Sequence, residues 1–541
     1  MHTPSPRPRL LGRTSWVAAL AVSAAIARLP GDTITRAQST TTFDVLVTGG
    51  RVLDGTGNPW RYADIGIRGD RIVAMGTLAG ATAARVVDAS GLLVSPGFID
   101  VHSHAGPRLA KDLNRGEPLL AQGITTAVVS PDGGGPVNLA PLRAAYESQG
   151  TGVNVAIFAP HGSIREAVLG MADRAPTPAE LAKMVELVRT AMRDGAIGLS
   201  SGLYYAPGSY AATDEVIALA KAAAEGGGVY ESHIRDEGDY SVGLVAAVDE
   251  VIRIAEEAKL PGIVTHMKAL GQASWGLSHQ ATTHIEAARA RGVQAYADQY
   301  PYEASGTGIV GALVPRWAEV GGRDMMRERI FGPERAKFLA EVRANIARRG
   351  GAHALQFSRY APDPAIEGKR LDDVAKAMGK PPEEAALDLL AKGDAGLVSF
   401  NMSERDIEHI MRQDYTMTCT DGDLVSVGEG KPHPRAYGAF ARKLKRYVRE
   451  RGTVEWGFAV RSMTSLPADV FGMKDRGVLR PGAFADVLVF DEHEVGDEAT
   501  YVDPHHLSVG MKFILVNGVL VRDRDAFTGA LPGKVVTPQR R

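Results

Sequence analysis

Gly97-Phe98-Ile99-Asp100-Val101-His102-Ser103-His104 is an apolar run that finishes in polar groups. Side chains on a strand repeat every two residues, so His102 and His104 share one face and Asp100 stands behind them on the same side. Two imidazoles at the C-terminal end of a strand can pinch one cation, although a lone His-x-His pair also occurs on ordinary surface strands. The same event recurs along the chain. Apolar strand-like runs lie near 97–104, 124–131, 154–160, 196–202, 228–234, 262–267, 293–300 and 416–421. Between many of them lie stretches with apolar residues at helical spacing, such as 178–194, 213–225, 241–258 and 279–292. Eight strands alternating with helices read as an α/β (β/α)8 TIM-type barrel, and a doubly wound open sheet is the alternative architecture.

The gap before the eighth strand is too long for a barrel loop. Residues 303–410 therefore read as an inserted subdomain or lid, with a charged helix-like run over 319–348 and a β-like piece over 396–400. Both chain ends have a different texture. Short strands at 43–47 and 51–53 about Gly49-Gly50, and others at 63–67 and 71–75, are matched near the C-terminus by 485–490 and 513–521. Neither end has enough strands to bury a core alone, so the expectation is one small β-sandwich built from both. The resulting division is 43–95 and 473–535 for the sandwich, and 96–302 and 411–472 for the barrel.

Composition narrows the chemistry. The 541 residues are 45% hydrophobic and 23% charged, which is ordinary for a globular protein. A formal charge of −2 gives no basic face for nucleic acid. A single cysteine, Cys419, rules out an intrachain disulfide framework and a four-cysteine zinc site, and its apolar strand predicts a buried inert thiol. Any metal must then be held by histidines and carboxylates. Arg7, Arg9 and Arg13 precede an apolar run from Trp16 to Ala27, the pattern of a signal peptide over 1–37 and too short for a membrane span. Those residues carry five Arg and one Asp, so removing their +4 from the chain's −2 leaves a mature protein of −6. The expectation is an exported, periplasmic or secreted protein that is free of the membrane once the signal is removed.

Other strand ends repeat the opening pattern: Ser130-Pro131-Asp132, Glu231-Ser232-His233, Thr265-His266 and Thr420-Asp421. Each polar group sits where an apolar run stops, which is the mouth of a barrel. Four histidines and two aspartates gathered at one rim have no structural purpose and point to a metal site. His161 ends the third strand and is a candidate supporting group. Gly133-Gly134-Gly135 and Gly226-Gly227-Gly228 lack the lysine of a phosphate loop. Arg442-Lys443-Leu444-Lys445-Arg446 reads as a solvated helix face, and His505-His506 as surface.

Taken together, the chain resembles the amidohydrolase superfamily and, within it, the N-acyl-D-amino-acid deacylase (D-aminoacylase) family. The resemblance rests on residues 97–104, on Gln122-Gly123-Ile124-Thr125-Thr126, and on Gly198-Leu199-Ser200-Ser201-Gly202-Leu203-Tyr204-Tyr205-Ala206-Pro207-Gly208. It continues through Ser232-His233-Ile234-Arg235-Asp236-Glu237, His266-Met267-Lys268, Asp298-Gln299-Tyr300-Pro301-Tyr302, Thr420-Asp421-Gly422 with His433-Pro434-Arg435, and the superfamily signature over 477–486. It implies a (β/α)8 barrel and zinc-dependent amide hydrolysis. It also implies that His102, His104 and Asp421 hold one metal and that His233 and His266 hold the other. The family usually has a bridging cysteine at the end of the second strand, where this chain has Asp132. A carboxylate can also bridge two cations and relaxes the preference for zinc toward Mn, Co or Ni.

The expected function is hydrolysis of N-acyl-D-amino acids by metal-activated water, with Asp421 taking the water's proton and passing it to the leaving amine. The small-molecule substrate carries a carboxylate. Arg435 and Lys268 are the candidate cations for it, with hydroxyl contacts from Tyr205 and Tyr300. Alternatives are a cyclic-amide hydrolase, a D-peptidase, or a non-catalytic exported metal-binding protein. Many cyclic-amide hydrolases place a carboxylated lysine on strand four, and 196–202 contains none. The acyl group, the side-chain preference and the oligomeric state are left open.

Overall fold

The computed structural model describes residues 42–539. The signal-peptide reading over 1–37 lies outside the described residues. Every strand expected around the opening motif is present: Phe98–Ser103, Ile124–Val129, Asn154–Ile157 continuing as Ala159–Pro160, Gly198–Gly202, Val229–His233, Gly262–Val264, Ala295–Gln299 and Thr416–Thr418. Neighbours among them pair in parallel. Their residues are almost all buried, as expected where helices cover a parallel sheet. The connecting helices include Pro178–Arg193, Thr213–Glu225, Leu244–Ala258 and Ser278–Ala290. The first of these opens on a capping box, with the Thr177 side chain accepting from the Glu180 backbone N–H while Glu180 reaches back to Thr177.

The first and eighth strands meet through their ends. The Asp421 N–H donates to the His102 carbonyl at 2.9 Å, and the His104 N–H donates to the Gly422 carbonyl at 3.0 Å. Asp100 accepts from both the backbone N–H of Thr420 (2.8 Å) and its hydroxyl (2.6 Å). The residue behind the His pair is thus a clasp between the two ends of the strand series.

Both chain ends contribute to one nine-stranded sheet. The expected sandwich is a single hydrogen-bonded sheet, because Thr42–Val52 pairs with Thr82–Asp88 in its first half and with Leu93–Pro96 in its second. Gly49-Gly50 was expected to separate two short strands. Instead it lies inside one strand, at a register shift with Gly49 at φ 72°. Thr82–Asp88 and Leu93–Pro96 add two strands to those the sequence pattern marks. Asn517 ties this sheet to the third parallel strand: its amide donates to Asn154 at 2.8 Å, and its backbone N–H donates at 2.8 Å to Asp486, which also pairs with Arg476.

Within 303–410, the strands Ala304–Gly308, Leu355–Arg359 and Gly396–Phe400 form a separate antiparallel sheet over a core that includes Phe338, Leu355, Phe357, Leu387 and Leu397. The charged run over 319–348 is not one helix. It breaks at Gly332-Pro333 into Arg323–Phe331 and Arg335–Arg348. No helix among the described residues is long and apolar enough to cross a membrane.

The Arg442–Arg446 run is not a solvated face. Arg442 donates to the Pro301 carbonyl and pairs with Asp497, while Lys443 is 2% exposed and donates to Thr418 Oγ1 (2.8 Å) and Ser462 Oγ (2.7 Å). The helical segment packs on the back of the eighth strand, where a charge run alone gives no warning of burial. Burial pushes the Lys443 ammonium down from 10.5 to about 7. Between about pH 7 and 10 the folded chain therefore binds fewer protons here than the unfolded chain, and stability rises with pH by up to ~1.4 kcal/mol per unit. Lys443→Met should remove that rise, so the wild-type thermal midpoint, followed by circular dichroism, climbs relative to that of the variant from pH 7 to pH 10.

Candidate metal centre

Asp132 lies at the middle of the strand ends. Its Oδ1 is 3.5 Å from His102 Nε2, 3.6 Å from His233 Nδ1 and 3.5 Å from His266 Nε2, and its Oδ2 is 3.5 Å from His104 Nε2. Asp421 closes the group from the other side, with Oδ1 3.2 Å from His104 Nε2 and 3.6 Å from His102 Nε2. All six expected ligands are brought together. They form two sets, His102-His104-Asp132-Asp421 and Asp132-His233-His266, whose ligand atoms lie within 4.8 Å of one another. Asp132 belongs to both.

The local backbone explains how the side chains converge. Asp132, His266 and Asp421 have φ of 55°, 35° and 47°, in the region that non-glycine residues avoid. The second, sixth and eighth strands end earlier than the apolar runs suggest, and the chain turns left-handed to swing these groups over the mouth. Such conformations cost of order 1–3 kcal/mol each and persist where the surroundings over-determine them. The surroundings here are specific. The Asp132 N–H donates to Glu231 (3.1 Å), the His266 N–H donates to Asp298 (2.6 Å), and the Asp421 N–H donates to the His102 carbonyl.

The donor set fits a cation. His102 Nε2, Asp132 Oδ1 and both ring nitrogens of His233 are buried without a hydrogen-bond partner. Orphaned polar atoms are costly unless something else satisfies them. His102 Nδ1 faces the Glu231 carboxylate at 3.1 Å and Thr265 Oγ1 at 2.9 Å. The Thr265 hydroxyl itself donates to Asp298, so it accepts from His102 Nδ1 and leaves Nε2 as the ring nitrogen that points inward. Burial opposes charge on this imidazole, but Asp132 and Glu231 outweigh it and hold His102 above the usual histidine value, so a cation bound there takes the place of a proton. Burial holds His233 below the usual histidine value, which leaves one of its ring nitrogens free to act as a ligand. Burial also works against charge on Asp421, but Arg435 and the histidines outweigh it and hold this carboxyl far below the usual range.

Strand reasoning missed the supporting groups. Glu231, Thr265, Asp298 and Glu237 carry no ligand signature; the only sign is that each adjoins a motif histidine or lies in a neighbouring strand. Glu237 Oε1 stands 3.0 Å from His266 Nδ1 and pairs with Lys268. Lys268 and Arg435 were expected to face the substrate carboxylate. Both line the cavity, but each already has an internal partner: Lys268 pairs with Glu237, and Arg435 donates to Asp421 at 2.6 Å. The Tyr205 hydroxyl is 3.3 Å from Thr307 Oγ1, and buried Tyr300 lies beneath the Arg435 guanidinium at 4.7 Å. His161 is not part of the cluster; it pairs with Glu215, which also holds buried Arg165. Cys419 is buried and free, as expected.

The cluster opens into a cavity of about 610 Å³, walled on one side by strand ends and on the other by Gly306, Thr307, Ser358, Leu397 and Val398 from 303–410. That is the size of a small-molecule site.

Comparison with known proteins places this geometry. Residues 85–522 match the model of the amidohydrolase family. A D-aminoacylase of Alcaligenes xylosoxydans xylosoxydans is 35% identical over 520 residues, spanning 91% of this chain and 97% of that protein. An N-acyl-D-glutamate deacylase of the same organism is 36% identical, over 88% and 93%. The solved N-acyl-D-glutamate deacylase of Bordetella bronchiseptica, complexed with zinc and a phosphonate mimic of the tetrahedral intermediate, superposes with a TM-score of 0.78 at 34% identity, covering 92% of this chain and 100% of that one.

Because Asp132 is common to both ligand sets, removing it should damage both, whereas removing His233 should damage one. The expected elemental analysis is two zinc equivalents per wild-type chain, about one for His233→Ala, and fewer than one for Asp132→Ala after the same dialysis.

Proposed function

We propose, for a chain that belongs to the amidohydrolase family and stands among its N-acyl-D-amino-acid deacylases, that it hydrolyses the amide bond of N-acyl-D-amino acids to a carboxylate and a free D-amino acid. The observation that carries this is the convergence of four imidazoles and two carboxylates at the floor of a cavity of substrate size. We read the eight parallel strands as a closed (β/α)8 barrel, supported by the backbone hydrogen bonds that join the ends of the first and eighth strands. We read 303–410 as an inserted subdomain, supported by its separate sheet and core. The arginine-led apolar run before residue 37 supports export.

His102, His104, Asp132 and Asp421 would hold one divalent ion, and Asp132, His233 and His266 a second, with Asp132 in the place between them. Imidazole suits zinc, and the carboxylate at the shared position also accepts Mn, Co or Ni. A divalent ion held there supplies Lewis acidity, which lowers the pKa of water from 15.7 to about 7 and polarises a carbonyl.

The chain's own residues do the rest. Asp421 is ionised and can accept the proton of the attacking water; it then delivers that proton to the amine nitrogen as the C–N bond breaks. Arg435 links this step to binding. A substrate carboxylate that draws the guanidinium away from Asp421 removes an attraction that holds the carboxyl ionised, and so makes Asp421 a better base once substrate is in place. Glu231 and Glu237 hold His102 and His266 in orientation. Tyr300 packs beneath the Arg435 guanidinium.

The test is amine release from N-acetyl-D-methionine and its L enantiomer by zinc-loaded protein. Turnover of the D form is expected, and absence of release from any N-acyl amino acid overturns the reading. Asp421→Asn should lower kcat by about 10²–10⁴-fold, and retention of most of kcat would remove Asp421 from its role as base.

A further inference from the structure

The cations that line the cavity are not equivalent. Arg108 and Arg359 both pair with Glu429, Lys268 pairs with Glu237, and Arg435 pairs with Asp421. Arg349 also lines the cavity and has no carboxylate partner among the described residues. It is 2% exposed. Its contacts are all neutral: Nε donates to the Ala312 carbonyl (3.1 Å), Nη1 to Ser399 Oγ (3.2 Å) and Nη2 to the Tyr204 hydroxyl (3.4 Å). The Tyr240 ring lies 5.7 Å from the guanidinium carbon. A guanidinium has five N–H donors, so these bonds leave two unused.

A buried charge without a counter-charge is expensive, and proteins retain one where something supplies the missing partner. Arg349 is placed to receive it from the cavity. Tyr204, which it touches, stacks on His233 with ring centroids 5.3 Å apart, so the guanidinium is one aromatic ring away from the metal-site histidine. It projects from the end of the inserted helix Arg335–Arg348, on the wall opposite the strand ends. The relatives do not decide what it binds, since a D-aminoacylase and an N-acyl-D-glutamate deacylase match this chain about equally well.

We propose that Arg349, with Tyr204 and Ser399, forms a subsite for a carboxylate on the substrate's side chain, so that the preferred substrates are N-acyl-D-amino acids with acidic side chains. This rests on the deacylase reading above. Arg435 and Lys268 lie near the ligand cluster and serve the carboxylate common to every N-acyl amino acid. Arg349 serves a second one, present only in glutamate- and aspartate-like substrates.

The experiment measures kcat and KM of the zinc-loaded full chain on N-acetyl-D-glutamate, N-acetyl-D-aspartate, N-acetyl-D-glutamine and N-acetyl-D-methionine. Wild-type kcat/KM for an acidic substrate should exceed that for the glutamine derivative by about 10- to 100-fold, the worth of a charge-assisted hydrogen-bonded pair. In Arg349→Met the ratio should collapse to near one, mainly through KM, and Arg349→Lys should recover part of it. A wild-type preference for glutamine or methionine derivatives overturns the proposal. So does a loss in Arg349→Met that is equal for all four substrates, because Arg349 then only ties the inserted region together or reads the shared carboxylate. If Arg349→Met does not fold, the wild-type ratio and Arg349→Lys decide. Turnover of none of the four by the wild type overturns the deacylase reading, and this proposal with it.

Discussion

The site is organised around a single carboxylate. Asp132 presents Oδ1 to three imidazoles and Oδ2 to a fourth, at separations of 3.5–3.6 Å, and Oδ1 has no hydrogen-bond partner. An oxygen buried in this way requires a partner. A cation held in the gaps between the ligand atoms would supply it. The left-handed turns at Asp132, His266 and Asp421, the carboxylates behind His102 and His266, and the hydrogen bonds to the backbone N–H groups of Asp132 and His266 all fix where those gaps lie. The parallel strands bring their ends to one place, and the turns convert them into inward-facing donors.

This architecture explains what could be read from the chain alone. The ligands sit where apolar runs stop, and a strand's two-residue repeat puts His102 and His104 on one face, so the metal site was legible as a set of run endings. Asp132 was legible as a bridging ligand only through the resemblance: nothing in Ser130-Pro131-Asp132-Gly133 itself shows that its carboxylate reaches four histidines. Glu231, Thr265 and Asp298 were not legible, because their task depends on which strands are neighbours. Lys443 was misread for the same reason, since a charge run carries no mark of the strand it packs against. Gly49-Gly50 was misread as a break because a bulge and a turn have the same composition.

Residues from 303–410 supply the other half of the cavity. Their core is separate from that of the strands they face, so their side chains can change without disturbing the ligand geometry. This division suits a family in which hydrolysis is constant and the substrate side chain varies. The candidate ligands come from strand ends, whereas Arg349, the residue proposed to read the side chain, comes from 303–410.

The Asp100–Thr420 clasp joins groups 320 residues apart. Asp421, which completes the first ligand set, comes immediately after Thr420. During synthesis, then, the imidazoles from the earlier strands emerge long before their final companion. Ribosome-bound chains that have not reached this segment have histidines but no closed ring to hold them in register. Competence is thus conferred by the last of the parallel strands to be made, and a growing polypeptide stays catalytically silent until these distant segments have found each other.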